Sequence, residues 1–305
     1  MILHSCLKKE LPVPPHTEGS VQTVQIPLTS NYKYQIFFSL KNNQIVQQQL
    51  KTCWDIAFEC GGSRVILNSS KFMFAYNTNK TSFSQVTDTS GFSLNKKYDS
   101  PTRNLDSTAI GNWWENLPVY IIHRGFNESG TNLGYIKLKI ISFNYNQFTF
   151  LYGNISDTAG NIATINTDTN YRFIGFNFST QQKVYIEPPK NQWDLLFTQY
   201  TEHLSEPYLV TGCLLNIPLT KGYITSQKFE DINYNIASNM ILSTNANIIG
   251  YTWKEYDFNT SSYVVHPEII YIIKDNENYF YKLRFIGFYS SSGEKGYPKF
   301  EFQRL

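Results

Sequence analysis

Short runs of β-branched and aromatic residues, separated by polar turn residues, recur along most of this chain. Runs such as YIKLKIISF (135–143) and FYKLRFIGF (280–288) have the length and composition of strands, and turn residues such as those in SSSGEKGYP (290–298) follow them. Only residues 227–241 resemble a helix, and weakly. The pattern therefore predicts an all-β fold built from antiparallel sheets.

The same stretch of sequence occurs twice. Residues 31–46 (NYKYQIFFSLKNNQIV) align without a gap with residues 170–185 (NYRFIGFNFSTQQKVY). The same offset places the Trp-Asp pair at 54–55 on the Trp-Asp pair at 193–194. These pairs, Trp54 with Asp55 and Trp193 with Asp194, open short apolar segments, and we treat them as a repeated structural motif.

Two further blocks keep the same order in both halves. The segment VYIIH (119–123) matches IYIIK (270–274), and the segment at 135–143 matches the one at 280–288. Ordered self-similarity of this kind indicates an internal duplication. We therefore expect two tandem β-sheet domains after an N-terminal segment, with the boundaries 1–27, 28–155 and 156–305.

The aspartates of the repeated motif need an explanation, because each lies in a segment that is apolar on both faces. Such a segment predicts a central strand covered on both sides, and a buried carboxylate needs partners. Two interpretations stay open. Asp55 and Asp194 accept hydrogen bonds from backbone amides at a turn, or they pair with basic residues of the repeated blocks, which are Lys51, Lys190, Lys33 and Arg172.

Composition narrows the range of partners and activities. The net charge is +2, from 26 basic and 24 acidic residues, which gives no reason to expect nucleic acid or an acidic membrane as the main partner. The sequence has no nucleophile elbow, zinc-protease helix, phosphate-binding loop or dinucleotide fingerprint. Its five histidines and four cysteines are not spaced as a metal site. We expect a binding protein and no enzyme.

The N-terminus carries a motif that resembles a bacterial lipobox. Leu3-His4-Ser5-Cys6 has an aliphatic residue, two spacers and a cysteine, followed by a polar, proline-containing segment. In this interpretation Cys6 becomes the lipid-bearing N-terminus, and the lipid is the only membrane contact. A signal peptide has an apolar run of about 7–15 residues before its cleavage site. Only Met1 and Ile2 precede the motif, so the interpretation requires a longer start, and an accidental resemblance is the alternative.

The ordered set of motifs resembles the HmuY family. It consists of YKYQIFFSL, WDIAF, VYIIHRG and YIKLKIISF in the first half, with WDLLFTQY, IGYTWKEYDFN and GYPKFEFQRL in the second. The resemblance covers nearly the whole chain after about residue 28. It implies an all-β, haem-binding lipoprotein of the outer membrane of Bacteroidetes. It also implies haem or another tetrapyrrole as ligand and an outer-membrane receptor as partner.

The haem ligands of the family do not carry over directly. The resemblance implies two axial histidines, or two methionines in some relatives, with one histidine shortly after a Trp-x-Glu-aromatic segment. Here that segment is WKEYDF (253–258), and Phe258 stands where the histidine is expected. Haem iron accepts His or Met. The candidates are therefore Met240 together with His266 or His203.

The second half is the expected haem-binding domain, because it has more chain available for a ligand loop. The segment from Trp253 to Ile270 is longer than the corresponding segment from Trp114 to Val119. The leading hypothesis is haem capture for delivery to a receptor. The alternative is a surface lipoprotein that has lost haem binding and binds a glycan or a protein, for example through Trp113 and Trp114, or that is purely structural.

Overall fold

The computed structural model describes residues 18–203 and 205–305, and strands dominate this part of the chain. The prediction of an all-β fold is confirmed. The strands are β1 (Gln22–Gln25), β2 (Tyr34–Ser39), β3 (Gln44–Leu50), β4 (Ile56–Glu59), β5 (Val65–Leu67), β6 (Phe74–Asn77), β7 (Val119–His123), β8 (Tyr135–Asn144), β9 (Gln147–Gly153), β10 (Asn161–Asn166), β11 (Phe173–Asn177), β12 (Gln182–Val184), β13 (Leu195–His203), β14 (Pro207–Leu215), β15 (Lys221–Thr225), β16 (Lys254–Asp257), β17 (Ser262–Val265), β18 (Ile270–Lys274), β19 (Phe280–Tyr289) and β20 (Lys295–Arg304).

Helical structure is short. The region predicted as a helix, 227–241, contains a 3₁₀ turn and a five-residue α-helix, α1 (Tyr234–Ser238). Asn233 caps α1 by accepting a hydrogen bond from the Ile236 amide at 3.1 Å. The 3₁₀ turns are Ser69–Lys71, Phe83–Gln85, Phe92–Leu94, Leu105–Ser107, Phe229–Asp231 and Ala246–Ile248.

The strands form four antiparallel sheets and one isolated hairpin, β16–β17. Two sheets have five strands, in the orders β1-β20-β19-β18-β15 and β10-β9-β8-β7-β6. Two have four strands, in the orders β3-β2-β13-β14 and β12-β11-β4-β5. When strands are matched by their place in the repeated blocks, the members of each pair of sheets have the same order.

The strands that begin with the Trp-Asp pairs are completed by hairpins from the opposite half of the chain. The hairpin β2–β3 pairs with β13, in the second half, through Leu195 opposite Phe38. The hairpin β11–β12 pairs with β4, in the first half, through Phe176 opposite Ile56. As predicted for apolar segments of this kind, β4 and β13 are central strands.

This exchange produces a nested arrangement of two packing units. An outer unit combines residues 22–50 with residues 195–305, and an inner unit is formed by residues 56–184. The first strand of each half, β1 or β10, also pairs with a strand of the opposite half. β1 pairs with β20, and β10 pairs with β9. The predicted division at 155/156 stays a prediction about independent folding, and strand pairing crosses it in both directions.

Aromatic side chains fix each exchanged hairpin in the core that receives it. Phe38 of β2 packs edge-on against Phe300 at 5.5 Å, and Phe300 in turn stacks on Phe197 at 5.4 Å. In the inner unit, Phe176 of β11 packs edge-on against Phe150 at 5.1 Å. All are buried, and burying one such side chain stabilises a fold by about 1.5–3 kcal/mol. The hairpins are therefore integral to the two cores.

The aspartate of each repeated motif ties its strand to the hairpin received. The Asp194 carboxylate accepts a hydrogen bond from the Leu40 amide at 2.8 Å, and the Asp55 carboxylate accepts one from the Phe178 amide at 2.7 Å. Both carboxylates are buried. A buried carboxylate that accepts a backbone amide hydrogen bond is stabilised where it lies. The contacts agree with the first of the two interpretations.

The ion pairs of the second interpretation are wrong for three of the basic residues, which have other contacts. Lys51 donates to the Gln199 side chain, and Arg172 donates to the Ile217 carbonyl oxygen. The Lys33 ammonium lies 5.0 Å from the centroid of the Tyr34 ring.

Charge differs sharply between the two aspartates. Asp55 forms ion pairs with Lys71 and, at 3.1 Å, with Arg124. In the second half, the position of Arg124 in the repeated block holds Asp275. Burial, together with the negative charge of Asp275, raises the pKa of Asp194 to about 7, despite the Leu40 hydrogen bond, which acts in the opposite direction.

Two asparagines hold the bend that leads into each Trp-Asp strand. The Asn68 side-chain amide donates to the carbonyl oxygens of Lys51, at 2.7 Å, and Trp54, at 2.9 Å. The Asn216 amide makes the corresponding bonds, both at 2.7 Å, to the carbonyl oxygens of Lys190 and Trp193. Because each asparagine satisfies two carbonyl groups at once, the entry to both strands has the same geometry.

A buried lysine on the middle strand anchors the long connection in each half. Lys137 of β8 donates to the carbonyl oxygens of Phe83, at 3.0 Å, and Val86, at 2.7 Å. Lys282 of β19 donates to the Ile232 carbonyl oxygen at 2.8 Å. Each ammonium also lies within 5 Å of a ring centroid in that connection. Burial lowers the pKa of both lysines, and nearby carboxylates oppose the shift, Asp157 for Lys137 and Glu18 with Glu230 for Lys282.

The long connections are similar in extent, so the expectation that only the second half has extra chain is wrong for the connection as a whole. Residues 78–118 join β6 to β7, and residues 226–269 join β15 to β18. The extra residues after Trp253 form the hairpin β16–β17. In the first half, a comparable length of chain lies before Trp114. A comparison of the segments that follow the tryptophans does not include it.

The nested arrangement predicts which fragments fold. A fragment of residues 51–190 contains every strand of the inner unit, so we expect cooperative thermal unfolding by circular dichroism. A fragment of residues 28–155 lacks β11, and without it β4 loses a neighbouring strand and Asp55 loses the Phe178 amide. We expect this fragment to unfold without cooperativity. Cooperative unfolding of 28–155, with 51–190 remaining unstructured, would contradict the nested arrangement.

Asp194 predicts a pH dependence of stability. Its pKa is about 7 in the folded chain and about 3.9 when unfolded, so the folded state holds an extra proton between these values. Its contribution to the free energy of unfolding therefore falls as pH rises from about 4 to 7. Asp194→Asn keeps an oxygen for the Leu40 amide and removes the titration. We expect the variant to gain free energy of unfolding relative to the unmodified chain, and to gain more at pH 8 than at pH 5. The difference, measured by urea unfolding, should be a few kcal/mol at most, at about 1.4 kcal/mol per pKa unit.

The control for this comparison is Asp231→Asn, since Asp231 is exposed. We expect it to leave the difference between pH 5 and pH 8 as in the unmodified chain. An Asp194→Asn variant with the same pH dependence as the unmodified chain would show that Asp194 does not titrate in this range.

Candidate functional site

An open cleft beside the end of β13 is the largest cavity among the best-formed ones, with a volume of about 570 Å³. His203, the last residue of β13, lies on one wall. The other walls come from the long connection of the first half. They are formed by Lys96, Lys97, Tyr98, Asp106, Ser107, Thr108, Gly111 and Asn112. The cleft therefore lies between the outer unit and the inner unit.

Backbone pairing and one buried carboxylate hold the connection in place. Lys97 exchanges two hydrogen bonds with Ala75 at the edge of β6, at 2.8 and 2.9 Å. The Asp99 carboxylate accepts hydrogen bonds from the amides of Leu67 and Ala109, both at 2.7 Å. Burial raises the pKa of Asp99 to about 6. The wall opposite His203 is thus built on fixed main chain.

His203 is exposed, and its imidazole contacts one aromatic ring. Tyr98 contacts it edge to face, with ring centroids 5.3 Å apart. Partial burial lowers the pKa of His203, and the neighbouring Glu202 carboxylate opposes the shift. A lowered pKa favours the neutral imidazole, the form in which histidine ligates a metal.

The other two candidate ligands lie in different surroundings. Met240 packs against the small apolar cluster around Phe229 and Ile270. His266 precedes β18, and its Nδ1 lies 3.2 Å from a Glu268 carboxylate oxygen. Its Nε2 lies 3.7 Å from the Glu255 carboxylate. Both ring nitrogens of His266 thus face carboxylates.

Among residues 18–203 and 205–305, no hydrogen bond, ion pair or ring contact joins Met240, His203 and His266. The same part of the chain holds no group of three His, Cys, Asp or Glu side chains suited to a metal ion. The assignment of Met240 or His266 as ligands stays a prediction.

Two aromatic features of the sequence also have defined positions. Phe258, which stands where the family histidine is expected, lies after β16 and is 85% exposed. Trp113 is buried and donates from its indole nitrogen to the Ser63 carbonyl oxygen at 2.8 Å. Trp114 is partly exposed, but the Arg64 guanidinium lies 4.9 Å from its ring centroid. Trp113 therefore belongs to the core, whereas Trp114 lies at the surface beside Arg64.

Sequence reasoning did not single out Lys96, Lys97 and Tyr98. The signal was a basic-basic-aromatic triplet in the polar stretch between β6 and β7. The triplet did not indicate a site, because His203, the residue across the cleft from it, is more than a hundred residues away in the sequence. Only the exchange of hairpins between the two halves brings the triplet next to the end of β13.

The sequence matches the family model described as HmuY protein over residues 31–302. The chain belongs to the HmuY family. Proteins of this family are binding proteins and not enzymes. No curated protein gives a significant match.

Solved structures similar to the chain have low sequence identity to it. Apo PinO, given as from Porphyromonas gingivitis, is 10% identical, with a TM-score of 0.37 over 94% of this chain and 97% of that one. The apo HmuY analogue of Tannerella forsythia is 11% identical, with a TM-score of 0.28 over 95% and 97%. A putative HmuY-like heme-binding protein of Bacteroides vulgatus is 11% identical, with a TM-score of 0.26 over 92% and 90%.

The predicted lipid attachment residue, Cys6, lies outside the described residues. Within the described ranges, no helix has both the length and the apolar character needed to span a membrane. Cys53, Cys60 and Cys213 are free thiols.

Proposed function

We propose that this chain captures haem or a related tetrapyrrole in the cleft beside His203. The observation that carries the proposal is an imidazole on the wall of a cleft of about 570 Å³ that is also lined by two lysines. Membership of the HmuY family supports it. His203 is the one of the three candidate ligands that faces this cleft.

The residues around the cleft fit the two chemical ends of a haem. A histidine nitrogen is a common axial ligand of haem iron. Lys96 and Lys97 supply ammonium groups suited to carboxylates such as the propionates. Tyr98 contacts the imidazole and is positioned to stack against a flat ring. His203 would be the axial ligand and the lysines would hold the propionates.

Two other roles belong to the same proposal. The captured ligand would be passed to an outer-membrane receptor, and the protein would be held at the cell surface by a lipid on Cys6. The family resemblance and the lipobox-like Leu3-His4-Ser5-Cys6 support these roles.

A different function is favoured by the surface of the hairpin β16–β17. Phe258 is 85% exposed there, and its ring lies 5.1 Å, between centroids, from that of Tyr256, which is 42% exposed. An exposed apolar patch of this kind is typical of a contact surface. In this alternative, haem binding has been lost and the hairpin contacts a protein or a glycan.

The haem proposal predicts a saturable Soret change when haemin is titrated into the protein. His203→Ala removes the ligand nitrogen, so we expect affinity to fall by more than about tenfold, which corresponds to about 1.4 kcal/mol. Lys96→Gln with Lys97→Gln should weaken binding less, and mainly at low salt, because exposed charges are screened.

Matched controls separate the candidate ligands. His266→Ala and Met240→Leu should leave the titration unchanged, with the leucine conserving volume. Loss of binding in those variants, with His203→Ala unaffected, would transfer the site to Met240 and His266. No saturable binding by the unmodified protein would reject haem capture and leave the contact-surface alternative.

Lipid attachment predicts that Cys6→Ser changes the location of the protein in its native cell. The unmodified protein should partition with membranes after processing that globomycin inhibits, and the Cys6→Ser variant should lose that partitioning. Cys53→Ser is the control, since Cys53 is a free cysteine in the body of the fold. A mature protein that keeps Met1 to Ser5 would contradict the assignment.

A further inference from the structure

A second cavity lies on the other side of the end of β13. Glu202 and His203 are consecutive residues of that strand, so their side chains point to opposite faces. His203 faces the cleft described above, while Glu202 lines a separate cavity of about 320 Å³. We call it the Glu202 cavity. Its walls include Tyr200, Asn247, Ile224, Ile248 and Tyr251.

A glycine keeps this cavity open. Gly250 has a φ of +62°, a conformation that favours glycine. A Cβ atom at this position would lie 3.3 Å from the Tyr200 hydroxyl oxygen and 2.9 Å from the Asn247 carbonyl oxygen. The space in front of the Tyr200 hydroxyl therefore exists because residue 250 has no side chain.

The Tyr200 hydroxyl is buried beside the Glu202 carboxylate. The residue is 1% exposed, and among the described residues the hydroxyl makes no hydrogen bond of good geometry, although the Glu202 carboxylate lies close enough to accept from it. Burial raises the pKa of Tyr200, and the Glu202 carboxylate raises it further. The hydroxyl oxygen therefore keeps free acceptor capacity for a ligand that donates a hydrogen bond.

The charge of the cavity has one sign. Glu202 is largely buried, and its carboxylate oxygens accept hydrogen bonds from the Asn247 amide, at 3.3 Å, and the His203 backbone amide, at 3.0 Å. No lysine, arginine or histidine is among the residues that line the cavity. Ile224 and Ile248 form an apolar side next to this carboxylate.

We propose that the Glu202 cavity binds the ammonium end of a small alkyl amine. Glu202 and the Tyr200 hydroxyl supply oxygen acceptors for the ammonium hydrogens, and the Tyr251 ring is suited to a cation. The isoleucines contact the alkyl chain. This proposal is independent of haem capture, because it uses the opposite face of β13.

The test is a titration of the full chain with n-butylamine at pH 7, followed by amide chemical shifts in NMR spectra. We expect saturable shifts at residues 245–252 and no comparable shifts with 1-butanol, which has no charge. Glu202→Gln should weaken butylamine binding by more than about tenfold. Glu206→Gln, an exposed acid nearby, should leave it unchanged.

Tyr200→Phe keeps the ring and removes only the hydroxyl, so it serves even if Glu202→Gln folds poorly. We expect it to weaken butylamine binding several-fold. Butylamine shifts that are equal in Tyr200→Phe and in the unmodified chain would overturn the proposal. So would shifts that 1-butanol reproduces, or saturable shifts confined to other parts of the chain.

Discussion

The hydrogen bond from the Leu40 amide to the Asp194 carboxylate, with its counterpart from Phe178 to Asp55, is the constraint on which the rest of the fold depends. Each bond joins a strand from one half of the chain to a hairpin from the other half. Leaving a buried acceptor without its hydrogen-bond donor typically costs about 1–3 kcal/mol, and more when the acceptor is charged. The two halves are therefore held together by these bonds, and the walls of both cavities depend on that pairing.

The same constraint is met by two different charge arrangements. In the inner unit, Lys71 and Arg124 compensate Asp55. In the outer unit, Asp275 occupies the place of Arg124 and adds negative charge near Asp194. One anchor is thus paired with two basic side chains, and the other has a pKa that burial raises to about 7. Repeated sequence has given repeated geometry with unlike electrostatics.

Local pattern was sufficient for the fold class but not for its connectivity. Strand periodicity predicted the all-β architecture, because that signal is local in the sequence, and the repeated blocks predicted two tandem β-sheet domains. Which hairpin pairs with β4 or β13 depends on packing between distant segments, since β2 and β11 both carry suitable aromatic residues. The cleft was missed for the same reason, because Tyr98 and His203 are distant in the sequence and become neighbours only in the folded chain. His203 was among the candidates because of its residue type, and the lysines opposite it had no comparable signal.

The pairing of β1 with β20 brings the two ends of the described fold together. The Gly19 amide donates to the Arg304 carbonyl oxygen at 2.8 Å, and the Gln303 side chain donates to the Gly19 carbonyl oxygen at 2.7 Å. Circular permutation is tolerated where chain ends lie close together. If the ends were joined here and the chain reopened between β3 and β4, the polypeptide would run through the whole inner unit and then through the whole outer unit. The nesting is therefore a property of where the polypeptide is cut, and the two units stay joined by contacts such as the hydrogen bond from Arg172 to the Ile217 carbonyl oxygen.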